Sequence, residues 1–216
     1  VLLGGQGAPL VPFGDHKLFG TYDAALNLGG FANCSIGAPL LSNGISAAFD
    51  ICPLNRVLNA FANELGHEYD KDGLFARQGR INPWILDQLN SLSFYDQPAP
   101  KSLGQEWIDD AFIELVDILA PKDALATCVQ HMADQIGRHL KGKRTLVSGG
   151  GAFNTTLLQA IEASGVDIVL PEKTIIEAKE AIVFALIGYE RFMGNTNVIG
   201  TTTGSGIWHS SGTVFH

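Results

Sequence analysis

The run Arg144-Thr145-Leu146-Val147-Ser148 leads into Ser148-Gly149-Gly150-Gly151-Ala152-Phe153-Asn154, and the residues beyond carry Leu157, Leu158 and Ile161 at helical spacing. Strand, glycine turn and helix in that order confine the chain to an α/β fold. Glycines in such a turn admit positive φ and let a ligand approach the backbone without a Cβ in the way. The unpaired amides at the helix start favour phosphate or other electron-rich groups. A second motif, Asn27-Leu28-Gly29-Gly30-Phe31-Ala32-Asn33, lies between two alternating segments, so Gly29-Gly30 reads as a two-residue hairpin turn. Gly-Gly is common turn chemistry, and either motif alone reads first as structural. The pair suggests a nucleotide gripped by backbone.

With 216 residues, 46% of them hydrophobic, the chain can bury a sizeable core as one large domain or two small ones. Its net charge of −8 argues against nucleic acid as the main partner, because binding a phosphate backbone needs a basic face. A small anionic ligand held by amides and a few cations is compatible with it. Cys34, Cys52 and Cys128 lie in apolar surroundings without metal spacing. They read as reduced core thiols, which implies a cytoplasmic location. The longest apolar run, residues 181–187, is far short of the roughly 18 to 20 residues that span a bilayer, so no membrane association is expected. The chain opens on Val1 and reads as the continuation of something longer.

Residues 1–14, rich in Gly and Pro, suit an ordered loop approaching a ligand or a neighbouring lobe. Residues 23–28, 31–36 and 45–49 then read as a three-stranded antiparallel meander. Helices are expected over 54–65, 83–91, 104–119 and 124–140, with a Pro-punctuated loop over 93–102. Strand 145–147, helix 154–163, strand 167–170 and helix 175–193 complete an α/β segment. Thr174 and Glu177 have capping-box spacing, whereas Glu180, directly before the apolar run, is costly there unless paired or used. Asp70, Asp72 and Gly73 begin like a calcium loop but lack its remaining ligands, so they read as a turn. The Thr-, Gly- and Ser-rich tail over 195–216 is either a flexible terminus or an ordered loop returning to another lobe. A meander, helices and then a strand–turn–helix with glycines is the layout of half an actin-like, sugar-kinase fold. The fold class expected is therefore α/β, an RNase H-like lobe with flanking helices.

Several strings carry a more specific resemblance: Leu3-Gly4-Gly5-Gln6-Gly7-Ala8-Pro9-Leu10-Val11-Pro12, the motif around Gly29-Gly30, Pro100-Lys101-Ser102-Leu103-Gly104, the motif around Gly149 to Asn154, and Glu180-Ala181. In this order they resemble the anhydro-N-acetylmuramic acid kinase family. Asp50, in Phe49-Asp50-Ile51-Cys52-Pro53-Leu54-Asn55, falls where that family places its catalytic aspartate in a pattern written Phe-Asp-Thr-Gly-Pro-Gly-Asn. Ile51, Cys52 and Leu54 depart from it, as a subgroup variant or as the sign of a reshaped pocket. Without the resemblance, Asp50 reads equally as an N-cap for the next helix.

The resemblance implies that ATP phosphorylates the 6-oxygen of 1,6-anhydro-N-acetylmuramic acid while water opens the anhydro bridge. It implies Asp50 as the base, Glu180 and Asn55 at the sugar, Asn27, Gly29 and Gly30 at the phosphates, and Gly149, Gly150, Gly151, Ala152 and Asn154 at the adenosine side. Mg²⁺ is implied by ATP, with no ligands nameable, and a homodimer is compatible. Lys101 reads as a solvated charge or a lobe contact. Sugar kinases of this architecture carry a first phosphate motif, Asp-Gly-Thr-Ser with a following Asp-Gly, and no such string occurs here. The chain is thus expected to be the C-terminal portion of such a kinase, mostly one ATP-binding lobe, with residues 195–216 returning toward an absent lobe and no activity alone. Two other classes stay open: a dinucleotide-binding protein, with Glu172 on the ribose, and a non-catalytic sugar- or nucleotide-binding remnant.

Overall fold

A computed structural model describes residue 4, residues 7–37 and residues 45–214. Leu3, Gly5 and Gln6 of the first motif lie outside the described residues. Five strands form one sheet: β1 (Ala24–Leu28), β2 (Phe31–Ile36), β3 (Ala47–Pro53), β4 (Arg144–Ser148) and β5 (Asp167–Val169), in the order β3-β2-β1-β4-β5. The first three pair antiparallel, and β4 and β5 run parallel to β1. This 3-2-1-4-5 order with an antiparallel meander is the RNase H-like arrangement of actin-like folds, as the motif order implied.

Strand alternation divides the side chains between two faces. Ala24, Leu26 and Leu28 of β1 and Phe49, Ile51 and Cys52 of β3 enter the main core. That core is closed by α2 (Asn55–Glu64), α3 (Pro83–Asn90), a helix over residues 105–116 (α4), α5 (Pro121–Leu140) and α6 (Thr155–Ala163). Within α4 the turn widens to π over Ile108–Ile113, which burys Ile108 and Phe112. Ala25 and Ala48 face the other way, into a smaller cluster with Phe13, Ile45, Val183, Ile187 and Ile199. The covering elements on that side are α1 (Val11–Leu18), α7 (Lys173–Phe192) and the short α8 (Gly200–Thr203).

Three expectations change. Residues 11–18 are helix, not loop: Pro12 is tolerated in a first turn, where an N–H has no intrahelical acceptor anyway. Gly14, poor helix chemistry in isolation, is required because a Cβ there would come within 2.3 Å of Val183 Cγ2 on α7. Asp50 lies inside β3, which runs on to Pro53, so it does not cap α2; Leu54 occupies that position. Thr174 and Glu177 form no capping box, since α7 starts at Lys173 after Glu172, and Glu177 pairs with Lys173 at 3.4 Å.

The tail is ordered over residues 195–214 rather than flexible. Buried Asn197 donates to the Ile187 and Ser211 carbonyls at 3.0 and 3.1 Å and accepts from the Ser211 amide at 2.8 Å. Thr201 donates to the Ile45 carbonyl, so the segment is fastened to α7 and to the approach of β3. Residues 70–73 form the expected turn, with Asp70 accepting from the Phe75 and Ala76 amides. No described helix is long and apolar enough to cross a membrane.

Candidate functional site

The glycine turn is built by contact with the hairpin beside it. Gly149 has φ +85°, and a Cβ on it would lie 2.5 Å from Asn27 Oδ1 and 2.8 Å from the Leu28 carbonyl carbon. Conformation and space both demand glycine here. Asn154 caps α6, accepting from the Leu157 amide at 3.0 Å. The hairpin tip is pinned to α2: the Leu54 and Arg56 amides donate to the Gly30 carbonyl, and the Asn55 amide to that of Gly29. Gly29 and Gly30 form the expected hairpin tip between β1 and β2 without using positive φ. Crowding by Asn27 and Arg56 side chains, each 3.2 Å from a Cβ placed at Gly29 and Gly30 respectively, accounts for glycine at the tip.

Asp50 keeps the face that alternation from Ala48 gives it, and a bulge follows it. Asn33 pairs with Asp50 and Ala32 with Cys52, leaving Ile51 as the extra residue on β3. Ile51 and Cys52 therefore both enter the core while Asp50 stays on the opposite face. Its amide donates to the Lys101 carbonyl at 3.0 Å, and its Oδ2 accepts from the Leu103 amide at 2.9 Å. Burial raises the Asp50 pKa above the ordinary carboxylate value, opposed by the Leu103 hydrogen bond.

Lys101 is buried, contrary to the solvated charge expected. Its Nζ donates to the Phe94 and Tyr95 carbonyls, each at 3.1 Å, and lies 4.7 Å from the Phe94 ring centroid. Burial lowers its pKa. The lysine thus anchors the segment that clamps Asp50.

A cleft of about 770 Å³ opens on this face, large enough for a small-molecule ligand. Asn27, Gly29, Gly30, Asp50, Gly149, Gly150 and Glu180 all line it. Glu180 is exposed and has no partner among the described residues. A smaller cavity of about 160 Å³ is lined by Asn55, Gly150, Gly151 and Asn154. Gly150 and Phe153 line both, so the cavities meet there. Ala152 is buried behind the turn. Asn55 therefore stands apart from Asp50 and Glu180, and its Nδ2 donates to the Leu28 carbonyl at 3.0 Å. Ile51, Cys52 and Leu54, the departures from the family pattern, are fully buried and line neither cavity.

Two residues on the cleft wall escaped the sequence reading. Lys179 Nζ lies 2.7 Å from Asp15 Oδ1, and Asp15 Oδ2 accepts from Ser35 Oγ at 2.8 Å. The signal was present: Ile176, Val183 and Ile187 form the buried stripe of α7, and Lys179 falls within it.

The sheet order and the cleft above it, with glycine turns on one wall and a carboxylate on the meander, define an actin-like α/β lobe. The chain belongs to the anhydro-N-acetylmuramic acid kinase family, whose model matches residues 1–216. The curated anhydro-N-acetylmuramic acid kinase of Aliivibrio fischeri is 32% identical over 230 residues, covering 99% of this chain and 62% of the relative. That of Streptomyces coelicolor is 34% identical over 222 residues, covering 95% and 56%. The chain thus spans less than two thirds of the length of these relatives. Among solved structures, the activator of the 2-hydroxyisocaproyl-CoA dehydratase from Clostridium difficile with bound ADPNP aligns with a TM-score of 0.49 and 15% identity, over 86% of this chain and 67% of that one.

Proposed function

We propose that this chain is the larger part of an ATP-dependent kinase that opens the 1,6-anhydro ring of anhydro-N-acetylmuramic acid and phosphorylates its 6-oxygen. The observation that carries this is the aim of Asp50: a carboxylate with a raised pKa, held by two backbone contacts, at a cleft shared with both glycine motifs. Asp50 takes a proton from the water that attacks the anomeric carbon. The bond from that carbon to the bridging oxygen breaks, and the freed 6-oxygen attacks the γ-phosphorus in line as ADP leaves. A base with a pKa above the usual carboxylate value takes that proton more readily.

Glu180 receives sugar hydroxyls from the opposite wall. Asn27, Gly29 and Gly30 lie at the phosphates, while Gly149, Gly150, Gly151, Ala152 and Asn154 shape the path to the smaller cavity, where the adenosine belongs. Asn55, grouped with the sugar by resemblance, acts instead as a brace between that cavity and the hairpin. Among the described residues no three His, Cys, Asp or Glu side chains gather as a metal site. Mg²⁺ arriving with ATP would keep phosphate and water ligands, with at most one or two protein carboxylates. The three cysteines are free and buried, which supports a reducing, cytoplasmic setting.

The remnant alternative rested on the missing first phosphate motif, which still stands, and on the altered residues after Asp50. Their burial away from the cleft favours catalysis instead. Release of ADP by the full natural chain, measured with and without the anhydro sugar, tests the proposal. Strict dependence on the sugar is expected, and sugar-independent or absent ADP release contradicts it. The 216 residues alone are expected to give none.

A further inference from the structure

Lys179 is a charged residue in an apolar stripe, and charges are rarely buried without a partner or a task. Only 6% of its surface is accessible, and only 3% of that of Asp15. Their 2.7 Å contact is an ion pair without well-directed hydrogen-bond geometry at Asp15 Oδ1, while Oδ2 is taken by Ser35. An ammonium has three N–H donors. Apart from Asp15, the described residues give Lys179 only the Phe19 ring, 5.8 Å from its Nζ to the centroid. Lys179, Asp15 and Ser35 line the same cleft as Asp50 and Glu180.

We propose that Lys179, held in place by Asp15 and Ser35, is a substrate-orienting donor that presents its remaining N–H groups to an oxygen of the sugar. Because Asp15 already balances the ammonium, the fitting acceptor is a neutral oxygen, a hydroxyl or the amide carbonyl of an N-acetyl group, rather than a carboxylate. Lys179 lies one residue before Glu180 on α7, so the two residues offer complementary chemistry on one wall: a donor for carbonyl or hydroxyl oxygen and an acceptor for hydroxyl hydrogen. This inference rests on the sugar-kinase proposal above. A bland alternative is that the pair only fixes the packing of α1 on α7, a role that buried ion pairs can serve.

The test uses the full natural chain with 1,6-anhydro-N-acetylmuramic acid as the probe. The double variant Asp15→Asn with Lys179→Met removes both charges together, so no lone buried charge remains. Its KM for the sugar is expected to rise about 10- to 100-fold, the scale of a lost hydrogen bond to a charged group, with KM for ATP unchanged. Asp15→Asn with Lys179→Gln, which restores a donor, should recover part of that loss. Unchanged sugar KM in the folded double variant overturns the inference and supports the packing role. Should the variants not fold, the ¹⁵Nζ resonance of Lys179 in the unaltered protein decides: a shift on adding sugar supports the contact, and no shift overturns it. If the unaltered protein neither binds nor turns over the sugar, the kinase proposal falls and the inference falls with it.

Discussion

The backbone amide of Leu103 donates to Asp50 Oδ2 at 2.9 Å, while the Asp50 amide donates to the Lys101 carbonyl at 3.0 Å. The segment after Pro100 is therefore zipped along the edge strand at the one acidic residue of the meander. Leu103 orients the carboxylate and partly offsets its desolvation.

That balance has a pH consequence. The folded pKa of Asp50 is raised, so between the unfolded and folded values the native state holds more protons, and this group's contribution to stability falls as pH rises. Asp50→Asn, which removes the cost of burying the charged form, should therefore raise the midpoint of thermal unfolding, and by more as pH rises. The acid limb of kcat/KM in the wild type should likewise lie above the ordinary carboxylate value of about 4. A melting curve and a pH–rate profile check the two halves separately.

Lys101 should matter for stability before it matters for chemistry. Lys101→Met leaves the Tyr95 carbonyl without its donor, while the Phe94 carbonyl keeps the Gln97 amide, and the buried unsatisfied group costs about 1–3 kcal/mol. Urea unfolding would show the loss, and turnover should fall with it as the clamp on Asp50 loosens.

Adjacent glycines should separate fold from ligand binding. Gly149→Ala combines φ +85° with a Cβ 2.5 Å from Asn27 Oδ1, so it should destabilise by at least the about 1–3 kcal/mol of a strained backbone. At Gly150 the nearest atom to an added Cβ is Asn55 Nδ2 at 3.7 Å. Gly150→Ala should leave the melting temperature nearly unchanged while weakening ATP binding, because it narrows the junction of the two cavities. Calorimetric titration of ATP against both variants checks this.

His131 supplies an acid-side prediction remote from the cleft. Buried on α5, its Nε2 lies 2.7 Å from Tyr95 Oη and its Nδ1 lies 2.8 Å from Asn90 Oδ1, an arrangement that suits the neutral ring. Burial lowers its pKa to about 3. The unfolded chain takes up this proton below about pH 6.5 while the native state does not, so stability should fall as pH drops from there toward 3. His131→Gln should flatten the dependence of the urea midpoint on pH across that window.

Periodicity made the meander, the strand–turn–helix and the long helices legible, because each depends on local alternation or on a 3.6-residue stripe. The helix at Val11–Leu18 was not, since its glycine and prolines read locally as loop and its stability comes from contact with Val183. Asp50, Glu180 and the glycines could be nominated from motif order, but their convergence on one cleft depends on pairing across the sheet. The bulge at Ile51 turns Cys52 into the core beside it, and no local pattern announces it. Lys101 misled for a related reason: a lysine in a Pro-rich loop looks solvated until two backbone carbonyls close over it.

The central claim is that Asp50 is the base for ring opening coupled to phosphoryl transfer. The most direct measurement compares sugar-dependent turnover and ATP affinity of Asp50→Asn with those of the unaltered full natural chain. Turnover should fall by about 10²–10⁴, the usual contribution of general-base catalysis, with ATP affinity nearly unchanged. Near-normal turnover in the Asn variant would contradict the claim.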